Sequence, residues 1–289
     1  MLVTWRYKDR GTFLYRFDPR ARLLFILGVM FATYLIWDIR VVFLWFALAL
    51  GQYLVARIPF RQTRRFWLVI GMLALALSLL TLLTRGRLTG FVETQTVFWE
   101  GPTWHLGPWT MQPSLSVEQL MFLFTQLLRI FTFALLAVVI PYTFHPALYG
   151  ATFHGLGFSD NIAFAMDLAF RLVPSVGRDF QIIVDAQRSR GYELEKVQGG
   201  LIGRIRRLAP LMVPLVVGAI INGEEIIDAM DLRAFGVGKR TWLYELKYAP
   251  KDYALLGFTL LLLALAVYLR AQGFGMLWIP PSWLAWGIK

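Results

Sequence analysis

The chain has 289 residues, of which 57% are hydrophobic and only 16% are charged, and its mean hydropathy is +0.57. A soluble domain usually carries about 25% charged residues, so this composition excludes an ordinary soluble enzyme, a disordered chain and a nucleic-acid-binding arm. The 29 Lys and Arg residues outnumber the 18 Asp and Glu residues by 11, an excess that is typical of the cytoplasmic loops of a polytopic membrane protein.

Polar and basic residues fill the N-terminal segment 1–22, which therefore predicts a cytoplasmic N-terminus. Three apolar runs follow, and each approaches the roughly 20 residues that a membrane-crossing helix needs. A turn at Asp38 joins the first two runs, and a link rich in arginine joins the second to the third. These runs are residues 23–37, 41–56 and 66–83.

Residues 84–118 form a long polar segment with several tryptophans among Gly and Pro, which predicts an exoplasmic loop lying against the bilayer. The fourth apolar run covers 120–140, and Pro141 is expected to close it. Arg129 lies near the middle of this run, where a charge that faced lipid would cost at least a few kcal/mol. We therefore expect Arg129 to face protein, either in a structural pair or at an interface with a partner.

Residues 141–250 alternate apolar and charged positions at helical spacing, which predicts a helical cytoplasmic domain. Within it, residues 208–222 are apolar but interrupted by Pro210, Pro214 and Gly218, and they predict a helix at or partly in the membrane surface rather than a span. A last clear span at 253–269 lies in the C-terminal segment 251–289, which ends in an interfacial tail rich in tryptophan.

The predicted fold is therefore an all-α polytopic membrane protein. It has about five transmembrane helices, four of them within residues 23–140, and a helical cytoplasmic domain inserted before the last span. Five spans with a cytoplasmic N-terminus place every basic segment on the inside, as the positive-inside rule requires.

One short repeat lies in the cytoplasmic segment. Residues 182–192 align with residues 225–235, with Asp185/Asp228, Ala186/Ala229 and Arg190/Arg233 identical. Gly191 suits the left-handed position that ends a helix, so the first copy predicts a helix that stops there. In the second copy Gly236 comes two residues later, which predicts a displaced stop. A cation at a helix C-terminus is stabilised by the helix dipole, and an arginine docks bidentately into an acidic groove.

Four spans, a helical cytoplasmic segment with two Ala-x-x-x-Arg-Gly-type motifs and a final span resemble the T component of energy-coupling factor (ECF) transporters, the CbiQ/EcfT family. Residues 186–191 match the first motif closely. Residues 229–236 match the second, except that Ala234 stands where many members have Gly. The resemblance covers nearly the whole chain.

The resemblance implies a non-catalytic subunit of an ATP-driven importer in a prokaryotic inner (plasma) membrane. In that family two ABC-type ATPase subunits lie under the T component, and a membrane S component carries a vitamin or a transition-metal ion. Arg190 and Arg233 would then dock the ATPases, with Ala186, Gly191 and Ala229 shaping the helix ends and Arg188 inside the first motif. ATP and Mg²⁺ would be bound by the partners and no cofactor by this chain.

Two other readings remain open from the residues alone. The acidic cluster at 224–231, formed by Glu224, Glu225, Asp228 and Asp231, is compatible with an intramembrane enzyme acting on a lipid or diphosphate substrate. A permease that carries substrate through its own spans would need buried ionisable groups in several spans, and only Arg129 qualifies. The chain has no Walker A sequence, no cysteine, and no metal-ligand cluster among its three histidines, so the sequence predicts neither ATP hydrolysis nor a metal centre. Nothing in it calls for nucleic acid as a partner.

Overall fold

The computed structural model of the protein describes residues 10–83, 97–102, 104–106, 109–111, 114–192, 201–238, 242 and 244–280. Residues 1–9 of the predicted N-terminal segment, residues 84–96 of the predicted loop and the tail from residue 281 lie outside this range. The described part is predominantly helical, which confirms the predicted all-α class. Its α-helices are α1 Pro19–Leu35, α2 Ile39–Val55, α3 Phe60–Leu83, α4 Val117–Thr143, α5 Tyr149–Gly155, α6 Asp160–Ser189, α7 Leu201–Leu232 and α8 Pro250–Leu269.

Aspartates start the first two helices. The Asp18 carboxylate accepts a hydrogen bond from the backbone N–H of Arg20 at 2.8 Å, and Pro19 occupies the first helical position, where a missing N–H costs nothing. Asp38 caps α2 in the same way, through the N–H of Arg40 at 2.9 Å. The tight turn predicted at Asp38 is therefore an N-cap that reverses the chain between α1 and α2.

Among the described residues, four helical stretches are long and apolar enough to cross a membrane: Phe60–Thr81, Val117–Thr143, Leu208–Leu232 and Pro250–Phe274. Three of them coincide with predicted spans. The helices α1 and α2 have 17 residues each, about 25 Å of helix, and α2 counts as a shorter apolar helix. Leu208–Leu232 passes the same length and composition test, although the sequence predicted only a surface helix there.

The prediction that α4 stops before Pro141 is wrong. The helix runs on to Thr143 and contains Pro141 in its last turn. A proline near a helix C-terminus removes one backbone hydrogen bond without closing the helix, and the hydroxyl of Thr143 bonds the carbonyl of Val139 at 2.7 Å. The three extra residues carry α4 to Thr143, the last residue before the chain leaves the helical bundle defined below.

In the part of the chain that the structure describes, short strands occur in the segment before α4 and nowhere else. Strand β1 (Val97–Glu100) pairs antiparallel with β4 (Ser114–Ser116), and β2 (Trp104–Leu106) pairs antiparallel with β3 (Trp109–Met111). Ser116 then leads directly into α4, where it exchanges two hydrogen bonds of 3.1 Å with Gln119. This pattern is a reciprocal capping box, so the strands deliver the chain to the start of α4.

By its internal contacts the chain divides into two compact units. We call residues 144–246 the insert unit, and residues 8–143 together with 247–289 the bundle unit. In the bundle unit α8 packs on α1 and α4 packs on α1, α2 and α3. A Cβ added to Gly28 on α1 would lie 2.5 Å from Cγ2 of Thr259 on α8, so any larger residue at position 28 would clash with α8 unless the Thr259 side chain moved.

In the insert unit α6 contacts both α5 and α7. Aromatic rings make several of these contacts: Tyr149 stacks on Phe170 at 4.2 Å between ring centroids, and Phe164 meets Phe235 at 4.6 Å. Ala163 and Asp167 are buried on the same stretch of α6. The N-terminal half of α6 is therefore the packed part of this unit.

Candidate functional site

The first arginine motif closes α6 as the sequence predicted. The helix ends at Ser189, Arg190 is its C-cap, and Gly191 has φ +80°. The N–H of Gly191 donates to the carbonyl of Arg188 at 2.9 Å, and the N–H of Tyr192 donates to the carbonyl of Gln187 at 3.0 Å. These two bonds define a Schellman motif, which satisfies carbonyls that the helix leaves unpaired.

The second motif ends α7 in the same geometry, so the displaced stop predicted at Gly236 is wrong. The helix ends at Leu232, and Ala234, not Gly236, takes the position of Gly191, with φ +50°. The N–H of Ala234 donates to the carbonyl of Asp231 at 2.9 Å, and that of Phe235 donates to the carbonyl of Met230 at 2.9 Å. The hydrogen bonds of the motif hold a non-glycine residue in a conformation that L-residues disfavour.

Both motif arginines are exposed at the C-terminal ends of their helices. The dipole of each helix stabilises a cation there by roughly 0.3–1 kcal/mol. Ala186 and Ala229, one turn before each arginine, are also exposed, and a Cβ added to Gly191 would meet nothing within 4 Å. Each end therefore presents a cation beside small side chains that protrude little from the helix, which allows another protein to approach the arginine closely.

The charges around the two arginines differ. Arg188 lies 3.7 Å from Asp185 on its own helix, and the aligned position of the second copy is Asp231. Residues 182–192 carry two arginines and one aspartate, whereas residues 225–235 carry one arginine and three acidic residues. The first copy is thus net +1 and the second net −2.

The two ends are distant from each other in the insert unit. The contact between Phe235 and Phe164 places the end of α7 beside the beginning of α6. About 39 Å of helix then separates residue 164 from Arg190. The two arginines therefore form two separate candidate docking points, and a short crosslink between Arg188 and Asp231 is excluded.

Apolar side chains remain exposed along the same two helices. Ile182 on α6 is 66% exposed, and Val216, Val217 and Ile220 on α7 are each about half exposed, whereas Ile183 is half-buried. The three residues of α7 lie on one face of the helix at i, i+1 and i+4, and exposed apolar side chains grouped in this way mark a membrane or protein contact.

Arg129 is buried, 5% exposed, inside α4. One of its terminal nitrogens donates to the carbonyl of Tyr34 at 3.2 Å, and its guanidinium carbon lies 3.7 Å from the ring centroid of Trp37. Tyr34 is in the last turn of α1, so Arg129 binds the negative end of that helix dipole. The structure places it in an internal pair between α4 and α1.

The acidic cluster proposed for the enzyme reading lies in the last turns of α7. Glu224, Glu225, Asp228 and Asp231 are all exposed. Their exposure is that of carboxylates on a solvated helix face, whereas the enzyme hypothesis would place them in an intramembrane site. Among the described residues no group of three or more His, Asp and Glu residues is placed to hold a metal ion.

Phe235 is a residue whose role the sequence analysis missed. It follows the left-handed Ala234, closes the Schellman motif and packs on Phe164. The available signal was its alignment with Tyr192, because an aromatic residue two places after each arginine fits the hydrophobic contact that often accompanies this motif.

Comparison with known proteins gives one consistent result. Residues 10–242 match the CbiQ family, described as cobalt transport protein. The energy-coupling factor transporter transmembrane protein EcfT of Lactobacillus helveticus is 27% identical over 94% of this chain and 95% of its own length. The EcfT protein of Staphylococcus aureus is 26% identical over 87% and 90%, respectively, and that of Bacillus subtilis is 32% identical over 38% and 41%. The chain therefore belongs to the CbiQ/EcfT family of transmembrane components of energy-coupling factor transporters.

Proposed function

We propose that this chain is the coupling subunit of an ATP-driven importer, and that Arg190 and Arg233 each dock one ABC-type ATPase subunit. The observation that carries the proposal is the duplicated helix end: two exposed arginines, each on a Schellman-terminated helix and held apart by the length of α6. Two docking points with the same backbone geometry, far apart on one unit, fit two partner subunits better than they fit one.

The docking chemistry follows from the arginine side chain. A guanidinium group presents a planar set of donors that binds a carboxylate through two parallel hydrogen bonds. Ala186, Gly191 and Ala229 keep the surface beside each arginine low, so that a groove on the partner can close over it. ATP and Mg²⁺ belong to the ATPase subunits, and this chain itself is non-catalytic.

Movement of the two ATPase subunits relative to each other displaces the two arginine ends in this scheme. The exposed apolar residues of α6 and α7 then transmit the displacement to a membrane S component, which binds the transported vitamin or transition-metal ion. The choice of substrate lies with that S component. The description of the matched family names cobalt, which makes a transition-metal ion one candidate cargo.

Docking is tested by recovery of the ATPase subunits with purified variants of this chain. Arg190→Ala and Arg233→Ala should each weaken recovery, and the double variant should nearly abolish it. Losing one partner of a desolvated charge pair costs roughly 2–5 kcal/mol. Lysine at either position should rescue poorly because it lacks the planar fork.

Arg178→Ala is the matched control, since Arg178 is an exposed arginine in the middle of α6 rather than at its end. It should leave ATPase recovery unchanged. Undiminished recovery with the double Arg190/Arg233 variant would refute the docking proposal.

The same proposal places the N-terminus, the link between α2 and α3 and the insert unit in the cytoplasm. Single cysteines introduced into this Cys-free chain report the side of the membrane by labelling with an impermeant reagent. Thr63, in the first turn of α3 just after the link, is fully buried and its hydroxyl is hydrogen-bonded to that of Tyr53, so the exposed Arg61 in the same turn is the better site. Cysteine at Arg61 or Val237 should label only from the cytoplasm and cysteine at Pro102 only from outside, whereas cytoplasmic labelling at Pro102 would overturn the topology.

A further inference from the structure

Within the described residues the chain passes between the two units at two points, after Thr143 at the end of α4 and before Lys247 ahead of α8. On the bundle side, both points are hydrogen-bonded to the first turn of α1. The residues that make these bonds, here called the junction cluster, are Asp18, Arg20, Arg22, Thr143 and Asp252.

Asp252 ties the start of α8 to the start of α1. One of its oxygens accepts the backbone N–H of Asp18 at 2.8 Å, and the other accepts the backbone N–H of Ala249 at 2.8 Å. Asp252 is 1% exposed. Each carboxylate oxygen therefore satisfies a buried donor at a different helix start, and a neutral amide, which has a single oxygen, cannot do both.

Arg20 extends this tie to the chain that re-enters the bundle. Its Nε and one Nη donate to the two oxygens of Asp18, at 3.0 and 2.9 Å. Its guanidinium carbon also lies 3.9 Å from the ring centroid of Tyr248, two residues after the re-entry point. Bidentate pairing and ring stacking together fix the guanidinium plane.

Arg22 binds the exit point in the same turn of α1. It donates to the backbone carbonyl of Thr143 at 3.4 Å and to the hydroxyl of Thr143. Tyr15, just before α1, donates from its hydroxyl to the carbonyl of Tyr142 at 3.4 Å. Arg22 and Thr143 are 5% and 1% exposed, so these bonds are shielded from water.

The two buried aspartates and two buried arginines balance in charge. Because all four had to be desolvated, such a cluster contributes less to the free energy of folding than apolar packing of the same volume would. What the cluster does provide is a fixed orientation of the three helix ends relative to one another, because each hydrogen bond tolerates only a narrow range of angles. A cluster at these two connections is therefore suited to transmitting a displacement of the insert unit to the helices of the bundle unit.

We infer that the junction cluster is a mechanical latch that makes α1, the end of α4 and the start of α8 move as one body when the insert unit is displaced. Its members are positioning residues and contact neither ATP nor cargo. The inference rests on the proposed coupling function, since it assigns the path by which displacement enters the bundle unit.

Two substitutions open the latch at different places. Asp252→Asn removes one of two acceptors at the α1–α8 tie, and Thr143→Val removes the hydroxyl acceptor of Arg22 at the α1–α4 tie with little change in shape. Thr132→Val is the matched control. Thr132 is fully buried in α4, and among the described residues its hydroxyl bonds only the carbonyl of Leu128 in its own helix, at 2.8 Å.

Spin labels on exposed positions report each tie separately. The pair Leu24 and Lys251 spans α1 and α8, and the pair Leu24 and Ala137 spans α1 and α4. In the isolated chain in lipid nanodiscs, Asp252→Asn should broaden the distance distribution of the first pair at least roughly twofold and leave the second unchanged. Thr143→Val should do the reverse, and Thr132→Val should change neither.

In the complex with the ATPase subunits, Mg-ATP is the second probe. The wild-type distances within each pair should stay constant when Mg-ATP is added, because the three helices move together. Asp252→Asn should let the α1–α8 distance change on ATP addition while ATPase recovery and the rate of ATP hydrolysis stay within about twofold of wild type. A purely structural role would not produce an ATP-dependent change in one helix pair alone.

Unchanged distributions in all three variants, or equal broadening in both pairs and in the Thr132→Val control, would overturn the latch. Failure of the wild-type chain to recover any ATPase subunit would instead refute the proposed function. The nanodisc measurement would still decide whether the cluster holds the helices together.

Discussion

The ends of α6 and α7 have the same backbone hydrogen bonds but differ in the residues that hold them. The first has Gly191 in the left-handed position and a net charge of +1 over residues 182–192, whereas the second has Ala234 there and a net charge of −2 over residues 225–235. Phe235 also fastens the second end to Phe164. The repeat therefore preserves the geometry and the arginine, while charge and anchoring vary, so an acidic groove should bind the first end more tightly than the second.

The largest expected difference concerns the aromatic anchor. Phe235→Ala should destabilise the end of α7 by about 2 kcal/mol, because the ring is half-buried and loses an aromatic partner. Hydrogen–deuterium exchange of the backbone amides at 230–236 should accelerate about thirtyfold, since each 1.4 kcal/mol is a factor of ten. Exchange at 187–192 should not change.

Val237→Ala is the control for this experiment, because Val237 is 83% exposed in the same segment and its loss should have little effect. If Phe235→Ala accelerated exchange at both helix ends equally, the anchor would not be specific to the second end.

The charge difference should appear in docking. Exchanging the aligned residues, with Arg188→Asp in the first copy and Asp231→Arg in the second, should change the affinity for an acidic groove in opposite directions. Each change should amount to about 1 kcal/mol, or roughly fivefold, because the side chains are exposed.

Binding of the purified ATPase subunits at low and high ionic strength is the measurement. Both effects should shrink as salt is raised, since screening acts strongly on exposed charges. Effects of the same sign for the two substitutions would mean that the grooves are not both acidic.

The parts of the fold that the sequence predicted well are those with a local cause. The apolar runs at 66–83, 120–140 and 253–269 became α3, α4 and α8 because length and hydropathy alone determine such helices. The stop at Gly191 was predicted because glycine is the usual left-handed residue. The stop at Ala234 was missed because the hydrogen bonds of the motif, which the sequence does not display, outweigh the preference of alanine.

Other features depend on contacts that are distant in sequence. The partner of Arg129 is a backbone carbonyl 95 residues away, and every residue offers such a carbonyl, so no pattern identifies it. The tie between Asp18 and Asp252 spans 234 residues. The separation of the two arginine ends likewise depends on the Phe164–Phe235 contact, which could not be derived from either helix alone.

The smallest expected effect tests the left-handed position itself. Gly191→Ala should destabilise the end of α6 by about 1 kcal/mol, because the added Cβ meets no other atom within 4 Å and the cost comes from the backbone conformation at φ +80°. Ala234→Gly should do the opposite at the end of α7. Its gain should be only about 0.5 kcal/mol, since glycine also increases the conformational freedom of the unfolded chain.

Amide exchange at the two ends distinguishes these outcomes. Gly191→Ala should accelerate exchange at 187–192 about fivefold, and Ala234→Gly should slow exchange at 230–236 about twofold, because 1 kcal/mol and 0.5 kcal/mol correspond to roughly those factors. The double variant exchanges the residues between the two copies. If the double variant exchanged at both ends at the wild-type rates, the hydrogen bonds of the motif alone would set the stability of each end, and the glycine in the first copy would have no energetic role. If the double variant exchanged faster at 187–192 and more slowly at 230–236, the second end of the wild type would be the one that carries backbone strain, and Phe235 would be the contact that compensates for it.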